Sequence, residues 1–352
     1  MKNFLKIINR VLLMLILLMV SLHISIITLK KIKKENLYYV LLNQYQKNNY
    51  KHLKKNEVSD LLKGTWYRNW VYAETVGFIE GPLISKFVNV NDFGVRSNDG
   101  KQVDYNDLND AIWFFGGSST FGYGIEDENT IPAQLEKLSN ERVINFGMGF
   151  YYSFQENSLL KSYLKTHSPK SVIFLDGHNE SCKIYAYQEE MKRLFAKTQT
   201  NYDWELSEIF EPLLFYVNKI NKMNRVDNNP WEKHTKKCEK NNLKFSLSSI
   251  VEDNLKERDL ICKNYKIKCI TFLQPFPRIH VPHQDKSRLS DAAAESMKEL
   301  YEEISPIFIK YNAITLENIF INKNKHYYVD ASHYSKEANE IIAKNIFKII
   351  DN

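Results

Sequence analysis

Positive charge, the usual mark of a nucleic-acid-binding domain, is not in excess beyond the first 35 residues of this chain. Of its 48 basic and 42 acidic residues, seven basic residues and one acid lie within residues 1–35, which leaves 41 of each in residues 36–352. A nucleic-acid binder carries its excess positive charge on the folded domain. The charge balance therefore predicts that nucleic acid is not a partner.

Charged residues are missing from Val11–Leu29, where only two serines, one histidine and one threonine interrupt an apolar run of nineteen residues. At about 1.5 Å per residue, such a helix nearly crosses a hydrocarbon core about 30 Å thick. A small-x-small cleavage site is also missing, because Leu29 leads directly into a lysine-rich stretch. We therefore predict that residues 1–35 form an uncleaved transmembrane signal anchor with basic flanks. The charge on its two sides leaves its orientation undecided.

Cysteine is scarce, and the four that occur have no spacing that forces a bridge. Cys262 and Cys269 each lie in a hydrophobic stretch, so we expect them to be buried apolar thiols. Four cysteines allow three pairings in an oxidising compartment. Cys182 with Cys238 is the pairing to look for first.

Two familiar signatures are absent from the glycine-rich turn Gly116–Gly122. No Gly-Lys-Ser/Thr follows it, which argues against a phosphate-binding loop, and the Gly-x-Ser-x-Gly elbow is missing. What the turn does contain is a serine beside glycines, directly after an apolar run, and this setting leaves a hydroxyl exposed on a tight turn. Ser118 is thus a candidate nucleophile. The alternative is a purely conformational or anion-binding Gly/Ser turn.

Apolar runs and amphipathic segments alternate along the chain, without an internal repeat or low-complexity tract. Alternating strands and helices predict an α/β fold with an open parallel sheet, helices on both faces and functional groups at the carboxyl ends of the strands. We place strands at 111–117, 142–147, 171–177, 268–276 and 313–320, and helices at 130–139, 153–167, 247–266, 287–311 and 335–350.

These patterns divide the chain into three regions. Residues 1–35 are the anchor, residues 36–95 are a stalk and a lead-in segment, and residues 96–352 are the main domain. The stalk, 36–65, is polar and helix-prone. Within the domain, about 199–246 breaks the strand–helix rhythm, and we interpret it as an insertion or cap beside the site.

A serine nucleophile needs a base, and the sequence has only nine histidines. Among those near strand ends or the final loop, only His333 has a carboxylate, Asp330, at turn-compatible spacing in a loop that leads into the last helix. An acid three residues before a histidine can accept its Nδ1 proton and direct Nε2 toward the serine. The alternative is that Asp330 simply caps the final helix.

Two other strand ends offer donors for the oxyanion of an acyl-transfer intermediate. The side-chain amide of Asn179 follows the third strand, and the loop Asn145–Phe150 after the second strand has backbone N–H groups that could point inward. Metal ligation is the weaker interpretation of the histidines. The pair His280-x-x-His283 supplies too few ligands for a closed site, and we expect neither metal nor cofactor.

Four blocks together resemble the SGNH (GDSL-like) hydrolase family. Gly116-Gly117-Ser118 is similar to the family's Gly-Asp-Ser block with Gly117 in place of Asp, and NFGMGF resembles the second block. GHNE resembles the Gly-x-Asn-Asp block, and DASH is similar to the terminal Asp-x-x-His block. The blocks occur in the family's order over residues 111–350. Gln274-Pro275 also resembles a feature of membrane-associated members.

The resemblance implies a flavodoxin-like three-layer α/β/α domain, ester hydrolysis or acyl transfer, and no metal. It assigns Ser118 as the nucleophile, His333 as the base and Asp330 as the acid that orients it. Asn179 is implied as an oxyanion donor beside the backbone N–H of Ser118.

Two positions depart from the family pattern. Glu180 stands where the family usually has Asp. The second-block glycine that donates its N–H falls on Phe150, unless Gly149 substitutes by a one-residue shift. A backbone donor does not require glycine if its dihedral angles are ordinary, so Phe150 or Gly149 can complete the oxyanion hole.

These expectations describe a membrane-tethered serine esterase or O-acyltransferase whose domain is extracytoplasmic, either periplasmic or at the cell surface. The expected substrate is an acyl ester, most simply O-acetyl, on an envelope polysaccharide, and it is inferred from the anchor and the family. One alternative is a non-catalytic glycan-binding or assembly protein with the same fold. Another is a lipase or thioesterase whose apolar tunnel is built by 199–246.

Overall fold

The structure, a computed structural model, describes residues 13–14, 17–21, 38–40, 42–66, 68–181, 184–185, 247–277, 279–280, 291–321 and 325–351. In this part of the chain the predicted α/β fold with a parallel sheet is confirmed. Its elements in chain order are α1 (Gln44–Asn48), α2 (Lys55–Trp66), β1 (Trp70–Ala73), β2 (Gly77–Glu80), β3 (Ile112–Gly116), α3 (Ser118–Phe121), α4 (Ile131–Ser139), β4 (Val143–Gly147), α5 (Ser153–Tyr163), β5 (Ser171–Asp176), α6 (Leu247–Tyr265), β6 (Cys269–Leu273), α7 (Asp291–Lys310), β7 (Ile314–Thr315) and α8 (Lys336–Ile350).

The described strands of the central sheet run parallel in the order β4-β3-β5-β6-β7. The chain leaves β3 for β4 on one side and then returns to β5 on the other, so the strand order reverses at β3. Groups that follow β3, β4 and β5 therefore meet in one crevice at the carboxyl edge of the sheet. The last strand is shorter than the predicted 313–320, because only Ile314 and Thr315 pair with β6 before the chain turns.

Side chains of the central strands point alternately to two apolar clusters, one on each face of the sheet. On one face, Phe115 and its neighbours pack with Leu160 of α5 and Ile261 of α6. On the other face, Phe114 and its neighbours pack with α4 and with Ile342 of α8. Both faces are covered, which explains why β3 and β4 are buried along their whole length. The arrangement has the three α/β/α layers that the resemblance implies.

Residues 42–66 differ from the stalk predicted there. Leu61 and Leu62 of α2 are fully buried and share an apolar cluster with Phe121 of α3 and with Val329. A polar composition indicates solvent exposure only when the apolar residues share no face, but α2 is amphipathic and buries its apolar face. The stalk interpretation is therefore wrong for this segment, which belongs to the core of the domain.

The predicted insertion 199–246 and most of the predicted anchor Val11–Leu29 lie outside the described residues. Among the helices that the structure does describe, none is long and apolar enough to cross a membrane. The anchor and the insertion stay predictions from the sequence.

Cys262 and Cys269 are joined by a disulfide, so the prediction of two separate buried thiols is wrong. The turn between α6 and β6 brings their Cα atoms to 6.1 Å, a separation that a disulfide can bridge. The hydrophobic residues around each cysteine in the sequence do not indicate that this turn brings the two together. Cys182 and Cys238 lie outside the described residues.

Candidate active site

Ser118 stands where β3 turns into α3, at the carboxyl edge of the sheet. Gly117 precedes this short helix in an extended conformation, and Gly122, with a φ of 91°, ends it. A side chain at position 117 has no room, because a Cβ there would lie 2.3 Å from Nδ2 of Asn179. The glycines thus let the turn Gly116–Gly122 lie directly against the loop that follows β5.

His333 reaches the serine from the loop before α8. Its Nε2 lies 2.8 Å from Oγ of Ser118, and its Nδ1 lies 2.6 Å from Oδ2 of Asp330. The side chains of His333 and Asp330 are 14% and 19% exposed, so the three groups are sheltered from water yet open to a substrate. The structure therefore brings together the residues predicted as nucleophile, base and orienting acid.

Asp330 acts as an ionised acceptor at this site. Its Oδ1 accepts the backbone N–H groups of Ser332 and His333 at 2.9 and 2.8 Å. Burial acts to raise the pKa of Asp330, but the adjacent His333 and these donors outweigh it and leave that pKa below its usual value. The alternative that Asp330 caps the final helix is wrong, because Ser335 is the N-cap of α8.

Arg96 supports the turn Gly116–Gly122, although no sequence motif indicates it. Its buried guanidinium donates to the carbonyls of Phe121, Gly122 and Ile125 at 2.5 to 2.8 Å, and to Oδ1 of Asp127 at 2.9 Å. Carbonyls at the end of a helix have no partner within it, so Arg96 supplies one. Its partners lie 25 to 31 residues further along the chain, and no local pattern could have indicated them.

Asn179 lies beside this turn and carries a suitable oxyanion donor. Its Nδ2 donates to the carbonyl of Tyr151 at 2.7 Å. A side-chain amide nitrogen has two N–H donors, so this bond orients the amide and leaves the second N–H for a substrate. Ser118 is the first residue of α3, and its N–H has no partner within that helix. Both donors suit an oxyanion that forms beside Oγ of Ser118.

The loop after β4 differs from the prediction at both candidate donors. The N–H of Gly149 donates to Oε1 of Glu80 at 2.9 Å, so Gly149 is not an oxyanion donor in this arrangement. Phe150 has a φ of 61° instead of the ordinary dihedral angles that the prediction required. That left-handed region favours glycine. Phe150, at the position where the family pattern has glycine, thus adopts a glycine-like backbone, and its role as a backbone donor stays a prediction.

Glu180 joins the loops that follow β4 and β5. Its Oε1 accepts the N–H of Ser153, the first residue of α5, at 2.7 Å, and its Oε2 accepts the hydroxyl of Tyr185 at 2.8 Å. Burial, followed by the nearby negative charge of Asp176, raises the pKa of Glu180 to about 7. Glu180 therefore titrates close to neutral pH.

A buried cluster beneath these loops contains more acids than bases. Arg258 donates to Asp176 at 2.5 Å and to Glu156 at 3.1 Å, and its guanidinium lies 3.6 Å from the centre of the Phe174 ring. Burial, followed by the charge of Asp176, raises the pKa of Glu156 well above its usual value. One arginine cannot balance three buried carboxylates. Burial and Asp176 therefore raise the pKa of both other acids of the cluster, Glu156 and Glu180.

His178, next to Asn179, is a neutral ring in the crevice. Its Nδ1 lies 2.5 Å from Nε2 of Gln274, and burial followed by repulsion from His333 lowers its pKa to about 3. Across the described part of the chain, no group of three or more His, Cys, Asp or Glu side chains could hold a metal ion. Of the histidine pair considered above, His280 contacts Glu317 at 3.2 Å, and position 283 lies outside the described residues.

No protein-family model matches this chain, and no curated protein matches it. Among solved structures, it is similar to a lipase/acylhydrolase from Enterococcus faecalis, with 13% identity and a TM-score of 0.39 over 68% of this chain and 94% of that one. It is also similar to a member of the lipolytic protein G-D-S-L family from Veillonella parvula DSM 2008, with 10% identity and a TM-score of 0.39 over 69% and 98%. A carbohydrate acetylesterase family member from Sinorhizobium meliloti matches with 11% identity and a TM-score of 0.35 over 68% and 96%.

Proposed function

We propose that this chain is a serine ester hydrolase or O-acyltransferase. The observation that carries the proposal is the continuous hydrogen-bonded chain from Ser118 through His333 to Asp330. An ionised Asp330 holds the proton on Nδ1 of the imidazole, so Nε2 can accept the proton of the serine. Such a base converts a weakly nucleophilic hydroxyl into one that attacks a carbonyl carbon.

The reaction follows from the positions of these groups. Oγ of Ser118 bonds to the ester carbonyl carbon, its proton passes to Nε2 of His333, and the carbonyl oxygen becomes an oxyanion. The N–H groups of Ser118 and Asn179, with the backbone N–H of Phe150 as a third donor, stabilise that charge. The bond from carbon to the alcohol oxygen then breaks, and His333 protonates the leaving alcohol. Water or a second hydroxyl attacks the acyl-serine by the same route in reverse, giving hydrolysis or acyl transfer.

The substrate that we propose is an acyl ester, most simply O-acetyl, on an envelope glycan, met by a domain tethered outside the cytoplasm. Two features support this placement. The apolar run Val11–Leu29 is long enough for a signal anchor. The Cys262–Cys269 disulfide is of a kind that persists in oxidising compartments and is rare in the cytosol.

Labelling with a fluorophosphonate probe tests the chemistry. The probe should attach to Ser118, as mass spectrometry of the labelled peptide would show, and it should not label Ser118→Ala. Acetyl, butyryl and octanoyl esters, together with an acetylated polysaccharide, then separate a short-chain esterase from a lipase or thioesterase. A folded wild type that reacts with neither the probe nor any ester would overturn the proposal and favour a non-catalytic glycan-binding protein.

Protease accessibility in spheroplasts tests the tether separately. External protease should digest the domain without lysis of the membrane, and the mature N-terminus should precede Val11. A domain that is protected until lysis, or a mature N-terminus beyond Lys34, would contradict the proposed placement.

A further inference from the structure

The hairpin of β1 and β2, which precedes the central sheet, holds the loop after β4 through Glu80. The backbone N–H of Glu80 donates to Sδ of Met148 at 3.4 Å, and Oε1 of Glu80 accepts the N–H of Gly149 at 2.9 Å. These two residues immediately precede Phe150, the backbone donor considered above. The hairpin therefore contacts the loop at Met148 and Gly149. Gly149 contributes the peptide bond that carries the N–H of Phe150, so these contacts affect the direction of that N–H.

The second half of the same loop also rests on the hairpin. Trp70 packs edge-on against Phe150, with ring centres 5.6 Å apart. The hydroxyl of Tyr151 donates to the carbonyl of Phe78, and their ring centres lie 5.7 Å apart. Because the carbonyl of Tyr151 in turn accepts from Asn179, the contacts of the hairpin extend to the side-chain oxyanion donor as well.

The Glu80 carboxylate is fully buried and receives donors from three directions. Arg68, whose side chain is 3% exposed, donates from Nε at 3.0 Å, and the hydroxyl of Tyr123 donates at 3.1 Å. The third donor is the N–H of Gly149. A buried carboxylate is tolerated only when it is paired and hydrogen-bonded. Arg68 balances the charge of Glu80, and the carboxylate in turn holds the Tyr123 hydroxyl and the Gly149 N–H in place.

Tyr123 connects this carboxylate to the base. Its ring lies against the ring of His333, with centres 5.2 Å apart and an angle of 31° between the planes. The Glu80 carboxylate thus holds both the N–H of Gly149 and the Tyr123 ring that packs against His333.

We infer that the β1–β2 hairpin is a working part of the active site and that Glu80 is a positioning residue for both of its halves. Glu80 fixes the loop that carries the backbone oxyanion donor and, through Tyr123, the position of the His333 ring. Neither Glu80 nor Arg68 touches the reacting atoms. This inference rests on the proposed function, and it assigns a catalytic consequence to a segment outside the parallel sheet.

Two double variants test the inference, and they differ only in whether position 80 still carries a hydrogen-bond acceptor. Arg68→Met with Glu80→Gln removes both charges but keeps a side-chain oxygen for Gly149 and Tyr123. Arg68→Met with Glu80→Leu removes the acceptor as well. Neither variant leaves a buried unpaired charge, which is the change that would most endanger folding. Ile346→Ala, in the buried core under α8, supplies a control that is destabilised away from the site.

We expect the Leu variant to lose about 30-fold or more in kcat toward 4-nitrophenyl acetate, with KM changed by less than about threefold, because a misplaced oxyanion donor acts on the transition state. The Gln variant should stay within about fivefold of wild type, since its oxygen can still accept. Amide hydrogen exchange at residues 148–151 should accelerate in the Leu variant only. Ile346→Ala should lower the melting temperature without either effect.

A Leu variant with wild-type kcat would overturn the inference, and so would unchanged exchange in residues 148–151. A loss in the Leu variant no larger than in Ile346→Ala would show a merely structural role. If the wild type itself reacts with no ester and no fluorophosphonate, the proposed function fails, and with it the catalytic role of the hairpin. Exchange would still report whether Glu80 holds the loop, so the two failures can be told apart.

Discussion

The two halves of the site are built from different kinds of contact. The nucleophile half, made of Ser118, His333 and Asp330, is held together by side chains that contact one another directly. The oxyanion half, made of Asn179 and residues 148–151, is mostly backbone and is held from outside, with Glu80 accepting the N–H of Gly149. A change within the nucleophile half therefore removes a reacting group, whereas a change around the oxyanion half displaces donors that are still present.

The halves also differ in how their buried acids titrate. Asp330 pairs with His333 and two N–H groups, and its pKa lies below the usual value. Glu180 shares its surroundings with Asp176, and its pKa is raised to about 7. Asp330, in the nucleophile half, thus stays ionised through the neutral pH range. Glu180, which lies beside the oxyanion half, changes its charge within that range.

Removing the nucleophile should have the largest effect. We expect Ser118→Ala to lower kcat by a factor of about 10³ or more while leaving the thermal unfolding curve nearly unchanged, because only the reacting hydroxyl is lost. Ser119→Ala is the matched control, since the Ser119 hydroxyl is buried and has no hydrogen-bonding partner among the described residues. It should stay within about threefold of wild type, roughly 0.6 kcal/mol in activation free energy. Equal losses in both variants, measured with 4-nitrophenyl acetate, would show that the nucleophile is misassigned.

Asp330→Asn should come next, with a loss of about 10² to 10⁴ in kcat. The Asn oxygen can still accept the N–H groups of Ser332 and His333, but its NH₂ would face Nδ1 of His333. That contact favours the imidazole with its proton on Nε2, which can no longer accept from Ser118. Steady-state kinetics and the rate of fluorophosphonate labelling should fall together. A variant that labels at the wild-type rate would contradict the role given to Asp330.

A smaller effect, on stability, is expected from Glu180→Gln. The folded-state pKa of Glu180, about 7, lies above the ordinary value of 4.5, so folding favours the protonated acid. Below pH 4.5 the acid is protonated in both states and contributes no difference. As pH rises from 4.5 to 7, only the unfolded chain releases the proton, and the wild type loses stability relative to the variant. At about 1.4 kcal/mol per pKa unit, the difference reaches at most about 3 kcal/mol above pH 7.

Urea unfolding at pH 5 and pH 8 measures this difference. The stability of Glu180→Gln minus that of the wild type should be larger at pH 8 than at pH 5. Glu257→Gln, which alters a partly exposed acid paired with Lys161, should show no such change between the two values of pH. An equal difference at both values for Glu180→Gln would mean that Glu180 does not titrate in this range.

The smallest effect should follow Phe150→Gly. A φ of 61° strains phenylalanine but not glycine, so the backbone donor should keep its position. We expect activity on acetyl esters to stay within about tenfold, roughly 1.4 kcal/mol, and tolerance for longer acyl groups to widen as the ring is removed. An ester panel of increasing chain length measures both. If the wild type is inert toward every ester and Phe150→Gly becomes active, Phe150 blocks the site and the natural protein is not an esterase.

Most of the fold could be predicted from local patterns. The apolar run 111–117 contains β3, and the amphipathic segment 335–350 contains α8, because periodicity within one segment reflects which of its faces is buried. The polar segment 36–65 predicts a stalk where the structure has a core helix, because composition does not show which partner an amphipathic helix packs against. The disulfide leaves no signal in the sequence, because a turn between a helix and a strand, not a spacing rule, brings Cys262 to Cys269.

By itself, the sequence determined the alternation of strands and helices and the residues available for the chemistry. Few histidines exist, only one of those near the expected site has a closely spaced acid in the final loop, and a serine follows the first strand of the sheet. The tertiary structure alone decided that Arg96 caps the nucleophile turn, that Glu80 takes the N–H of Gly149, and that Phe150 adopts a glycine-like backbone. Buried charges must find partners wherever packing places them, and the N–H that Glu80 accepts lies 69 residues further along the chain. Such partners leave no periodic or spacing signal in the sequence.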